Sequence, residues 1–191
     1  MKKVFSILLA AELIMMSGIG ILLYPAPAHA AALTESYLRL DRMKASTNTT
    51  VLVVAKPATT ATEADVQVTL PSDFTVSSTA SNHTVATTNL PTGVTAWPGI
   101  ATATAVSSQT ITFPSTDLVV GTLYGFRITG ASSITTGSAG SSKTGTITTR
   151  ATGPSTIDTS SYATAVITDD HFVYTSGKHG SVYINKDALY P

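Results

Sequence analysis

From Ala31 onward, apolar residues recur at every second position, which sends side chains alternately to the two faces of an extended backbone. Leu38 and Leu40 alternate with Arg39 and Asp41. Val51-Leu52-Val53-Val54 is a continuous apolar run that stops at Lys56-Pro57, the pattern of a strand buried on both faces. Val66, Val68 and Leu70 alternate with Asp65, Gln67 and Thr69, and Pro71-Ser72-Asp73 turns the chain before Phe74-Thr75-Val76. Further strands are predicted within residues 84–86, 101–106, 110–113, 123–128, 144–149, 162–167 and 172–174. Leu90-Pro91-Thr92-Gly93, Trp97-Pro98-Gly99 and Thr152-Gly153-Pro154 punctuate them. About eight to ten short strands at this spacing predict an all-β fold, an antiparallel β-sandwich.

The first thirty residues follow a different pattern. Lys2 and Lys3 precede an apolar stretch over residues 4–24, and Ala28-His29-Ala30 fits the small-x-small rule for signal peptidase. Residues 1–30 are therefore expected to be a helical signal peptide, with export of a chain that starts near Ala31. The stretch is also long enough, at about 20 residues, to span a bilayer, and Glu12 lies inside it. An uncleaved membrane anchor is the alternative. A type IV prepilin would need a Gly or Ala cleavage site just before its apolar helix, and Met1-Lys2-Lys3-Val4-Phe5 lacks it.

Composition narrows the function classes. Among 191 residues the charged share is 12% and the formal net charge +0, which argues against a nucleic-acid binder, a coiled coil and a charge-rich disordered chain. Cysteine is absent, so the chain contains no disulfide, thiolate metal site or thiol nucleophile. Thr is abundant where a strand meets water, because its branched Cβ suits the pleat and its hydroxyl tolerates solvent.

Two local motifs are fold markers. In Trp97-Pro98-Gly99-Ile100, Pro presets φ and Gly accepts a positive φ, the requirement of a type II turn. The lone Trp97 beside it reads as a core plug, with a stacking platform for a sugar ring as the alternative. The spacing Leu118-x-x-Gly121-Thr122-x-Tyr124-x-Phe126 resembles the tyrosine corner of immunoglobulin-like and fibronectin type III-like domains, which implies a structural role for Tyr124 and Gly121.

Beyond these motifs, Leu38-Arg39-Leu40-Asp41-Arg42-Met43, Val53-Val54-Ala55-Lys56-Pro57, Val66-Gln67-Val68-Thr69-Leu70-Pro71 and Thr144-Gly145-Thr146-Ile147-Thr148-Thr149 carry a wider likeness. Across most of residues 35–170 the chain resembles a group of Thr- and Ala-rich secreted proteins of uncultured ultrasmall bacteria. That resemblance implies an exposed surface or filament role and supplies no active site. It also implies one Cys in the strand before Lys-Pro and another after Gly-Thr-x-Tyr, bridging two sheets; Val53-Val54 and Gly125 stand there instead.

Candidate chemistry is sparse. Residues 137–144, Gly-Ser-Ala-Gly-Ser-Ser-Lys-Thr, nearly spell a phosphate-binding loop, but Ser142 replaces the second Gly and a strand follows where a helix is needed, so a flexible hairpin loop is expected. Asp169-Asp170-His171, with His179, is the tightest cluster of metal-ligand types, and consecutive strand residues point to opposite faces. Carboxylates such as Glu35, Asp41, Glu63, Asp65, Asp73, Asp117 and Asp158 sit mostly beside Pro, Ser or Thr, where backbone capping is the usual role. No catalytic residue, cofactor or metal site is predicted.

The tail, residues 169–191, gathers charge and three tyrosines after a stretch almost free of charge. Phe172, Tyr174, Val182 and Ile184 have strand-like spacing and predict either a last strand or an association segment. The expected organisation is thus residues 1–30 for export, 31–168 for the sandwich and 169–191 for the tail. The expected function is a secreted, non-catalytic structural or adhesive protein of the cell surface, self-assembling or bound to other surface proteins. An extracellular carbohydrate-binding module taking glycans is the alternative, with no nucleic-acid partner and a membrane contact only through an uncleaved N-terminus.

Overall fold

The computed structural model describes residues 30–153 and 155–168, together with the backbone of Phe172–Val173 and His179–Gly180. The expected signal helix and most of the tail lie outside these residues. Apart from one 3-10 turn at Ala80–Asn82, the regular structure of the described chain is strand: β1 Glu35–Leu40, β2 Val51–Lys56, β3 Asp65–Thr69, β4 Thr75–Val76, β5 Val85–Ala86, β6 Thr95–Ala96, β7 Ala105–Ser107, β8 Thr110–Pro114, β9 Tyr124–Ile128, β10 Ile134–Thr135, β11 Gly140–Arg150 and β12 Thr156–Val166. No helix among the described residues is long and apolar enough to cross a membrane.

Two antiparallel sheets carry the fold. One runs β1-β2-β9-β5, with β6 joining β9 in parallel; the other runs β12-β11-β3-β8-β7. Their inner faces meet in one core. Val53 and Phe126 from the first sheet and Val68, Ile111, Phe113 and Ile147 from the second are buried in it. Phe113 and Phe126 touch edge to face across the layers, ring centres 5.1 Å apart. The period-two pattern decides which residues face inward. In β3, Val66 and Val68 are buried while Asp65, Gln67 and Thr69 are partly exposed.

β2 is buried on both faces, as its apolar run predicts. Leu52 and Val54 are fully buried outside the main core, with Arg39 and Arg127 opposite Leu52 and Tyr37 and Gly125 opposite Val54 on the neighbouring strands. The expected flexible hairpin loop at residues 137–144 is corrected. This segment leads from the small β10–β4 ladder into β11, and its Gly140–Thr144 part is strand.

Candidate functional site

β8 and β9 belong to different sheets, and the loop between them, residues 115–123, crosses one end of the sandwich. Trp97, Tyr124 and Gly121 converge on it. Trp97 is 2% exposed and packs edge to face on Phe126, with ring centres 5.5 Å apart. Its indole N–H donates to Ser115 Oγ at 2.9 Å, so the ring is at once a core plug and an anchor for the start of the loop. A platform for stacking on sugar needs an open ring face. Trp97 has none, and the glycan-binding alternative loses the residue on which it was built.

Further along, Thr116 N–H donates to the Pro98 carbonyl. Gly99, with φ +71°, packs so closely on Thr116 that a side chain there would collide with its backbone nitrogen. Leu118 N–H donates to Glu63 Oε2 at 3.0 Å and Val119 N–H to the Tyr124 hydroxyl at 3.1 Å. Thr122 N–H closes a four-residue turn onto the Val119 carbonyl, with Gly121 at φ +80° in its third position, and Gly121 N–H donates to the Pro57 carbonyl. Every second or third residue of the loop is therefore tied to a different part of the fold.

What this bracing holds outward is apolar. Leu118 is buried, but Val119 is 64% and Val120 42% exposed, among the most exposed large apolar residues described. A flexible loop could fold such valines back against the protein; a loop held by side chains on three separate segments keeps them in water.

Glu63 is the unusual group beneath. It is 3% exposed, and its Oε1 has no hydrogen-bond partner. Burial pushes its carboxyl above the ordinary glutamate range, the Leu118 amide opposes that, and the charges of Asp117 and Asp158 add to it. Asp158 is also fully buried, yet satisfied: its carboxylate accepts from Ala58 N–H at 2.8 Å, Thr59 N–H at 3.1 Å and the Thr59 hydroxyl at 2.6 Å.

Other carboxylates are occupied by cations. Glu35 pairs with Lys56, Asp41 with Arg127, Asp65 with Arg150 and Asp73 with Lys143. The Lys143 pair also explains the loop that looked like a phosphate cradle. Asp73 accepts from Lys143 Nζ at 2.6 Å and from both the amide and the hydroxyl of Ser138, so the protein's own carboxylate fills the place of an anion. The Lys143 ammonium and the Ser138 donors hold Asp73 below the usual carboxylate range despite some desolvation.

The positions where the resemblance implies an inter-sheet disulfide lie within one sheet. Val53 pairs with Phe126 and Val54 with Gly125 in the β2–β9 ladder. A bridge there would link neighbouring strands rather than two layers. Of the tail, Phe172 and Val173 pair through their backbone with Gly180 and His179. The side chain of Phe172, all of Tyr174, Val182 and Ile184, and the Asp169-Asp170-His171 cluster lie outside the described residues. Sequence reasoning passed over Val119, Val120 and Glu63 as site residues.

No known protein family matches the chain, and no curated protein matches it. Among solved structures, the crystal structure of BslA, a bacterial hydrophobin, aligns with a TM-score of 0.43 at 16% identity, over 74% of this chain and 97% of that one. A likeness at this level leaves the function of this chain to be argued from its own residues.

Proposed function

We propose that the chain is an extracellular, non-catalytic structural or adhesive protein that associates through the apolar tip of the loop between β8 and β9. The observation that carries this reading is the pairing of exposure with rigidity. Val119 and Val120 stand in water on a backbone fixed by Glu63, Tyr124 and Pro57. A fixed apolar knob loses little conformational freedom when a partner covers it, so more of the burial energy remains for binding. Export through cleavage near Ala31 belongs to the same reading, because an extracellular site is where such a tip would meet neighbours.

The scaffold is read as immunoglobulin-like. The orders β1-β2-β9 and β12-β11-β3 support this, since they match the A-B-E and G-F-C strands of that sandwich. Two features depart from it. Between β3 and β9 the chain visits both sheets, and Tyr124 opens a strand beside β2, whereas the corner tyrosine of immunoglobulin domains opens a strand of the other sheet.

The test is association of the purified full chain beside a Val119→Lys/Val120→Lys double variant, by electron microscopy and light scattering over a concentration series. Assemblies formed by the natural chain and lost by the variant, with the thermal midpoint unchanged, are expected. A strictly monomeric natural chain at high concentration, or a variant that assembles equally well, would overturn the reading.

A further inference from the structure

The loop tip stands at one pole of the sandwich, and the opposite pole is hollowed. β2 and β9 run antiparallel between the two: Ala55 pairs with Tyr124 at the end where Gly121 bonds to Pro57, and Val51 pairs with Ile128 at the other. The six residues of β2 set these poles about 20 Å apart. Beyond Ile128, residues 41–42, 48–50 and 130–132 enclose an open hollow of about 360 Å³. Small residues make much of its wall, among them Thr49, Thr50, Gly130 and Ala131.

Hydrogen bonds fix the rim of the hollow before anything enters it. Asn48 Nδ2 donates to Ser132 Oγ at 3.0 Å, Thr135 donates to Asn48 Oδ1 at 2.6 Å, and Arg42 N–H donates to Thr49 Oγ1 at 3.0 Å. Asp41, at the edge, is neutralised by Arg127 and also accepts from Thr50. The exposed Arg42 side chain, by contrast, forms no ion pair with any described residue. At the other pole, exposed Asp117, two positions before Val119, likewise pairs with no described cation.

We infer that the hollow receives the Val119–Val120 tip of a second copy, so that copies join head to tail. This rests on the proposed association through the tip and names the surface that the tip meets. Size, charge and placement choose the occupant. The isopropyl groups of both valines fit within the volume of the hollow. Asp117 beside the knob and Arg42 beside the hollow have opposite signs, so docking brings them together favourably. Tip-to-tip pairing would be symmetric and would instead set the Asp117 carboxylates of both copies at one interface. Because knob and hollow lie at opposite poles, every docked copy still offers one of them. Such a heterologous contact extends into a filament unless its rotation closes a ring.

The experiment mixes two full-length variants and follows them by sedimentation velocity and electron microscopy. Val119→Lys/Val120→Lys lacks the knob; Ala131→Arg fills the hollow with a long charged side chain. Each alone should stay monomeric, and equal amounts together should form dimers that grow no further, because one knob and one hollow remain. Arg42→Asp should raise the concentration needed for assembly roughly tenfold, and adding Asp117→Arg to it should restore assembly. Arg42 is exposed, so this pair keeps the test open should Ala131→Arg unfold. Hollow variants that fold and assemble as the natural chain does would overturn the inference while leaving the tip as the association surface. A charge swap without rescue, or a mixture that stays monomeric, would overturn it too. A natural chain that never associates would overturn the association reading itself.

Discussion

Glu63 lies under the loop between β8 and β9 with its carboxyl almost wholly removed from water and one oxygen without a partner. Oε2 accepts from Leu118 N–H, and no group stands by to stabilise a charge at Oε1. Ionisation would bury a charge beside Asp117 and Asp158, which is why burial first, and those charges after it, raise the group above its ordinary range. A carboxyl raised by folding contributes stability that is fully present below its unfolded value and is lost as pH rises through the folded one. Asp41 works in the opposite direction. Burial alone would raise it, but hydrogen bonds from Arg127 and Thr50 hold it low, so its contribution is lost on acidification. Glu63→Gln keeps an acceptor for Leu118 and removes the titration. Denaturant midpoints of the natural chain should therefore fall relative to those of the variant as pH rises from 4 to 8. Parallel profiles would show that Glu63 does not titrate in the folded protein.

At the scale of elements, β11 illustrates how strands are locked together. Gly145 stands opposite Tyr162 of β12, whose hydroxyl donates across it to the Thr69 carbonyl of β3 at 2.8 Å. One tyrosine thus ties three strands, and burial raises its phenol. A Cβ at Gly145 would collide with both that hydroxyl and that carbonyl oxygen. Gly145→Ala should cost roughly 1–3 kcal/mol. In a double-mutant cycle with Tyr162→Phe, the combined loss should be smaller than the sum, because both changes act on one contact. Additive losses would contradict this packing.

The longer alternating strands were legible in the sequence because each has apolar residues at every second position, β1, β3, β8 and β9 above all. The two-residue strands β4 and β5 fall within segments read as strand, whereas β6 and β10 become strand only through the ladders that neighbours offer. β11 and β12 run to eleven residues each, longer than expected. Parts of their inner faces are Gly145, Thr149 and Asp158, which hide the alternation while hydrogen bonds satisfy the polar groups. At the site, Trp97 and Tyr124 announce themselves by residue type and spacing. The outward turn of Val119 and Val120 does not, since Leu118-Val119-Val120 reads as one apolar run and only the tertiary ties separate its buried residue from its exposed ones. Glu63, in Thr62-Glu63-Ala64-Asp65, looks like any solvated glutamate.

For the described molecule as a whole, the sheet edges bear on association. A sheet edge with little charge would ordinarily invite pairing with another chain. Here the β12 edge is covered near both ends: Ala31 bonds to Ile157 and Thr159, and the chain around Met43 and Ala45 bonds to Ile167. The opposite edge, β7, is only three residues long, and β5 and β6 have two each. β1, six residues long and paired only with β2, is the longer edge of the other sheet. The proposed association runs through the loop tip, whose stiffness and exposure can be read together. Amide hydrogen exchange of the full chain, measured from dilute to concentrated solution, is the most direct test. Leu118 and Val119 should exchange slowly at every concentration, because their amides are held by Glu63 and Tyr124, while the Val120 amide should exchange fast when dilute and slow as copies cover it. Free-peptide rates at Leu118 and Val119, or a Val120 rate indifferent to concentration, would contradict the account.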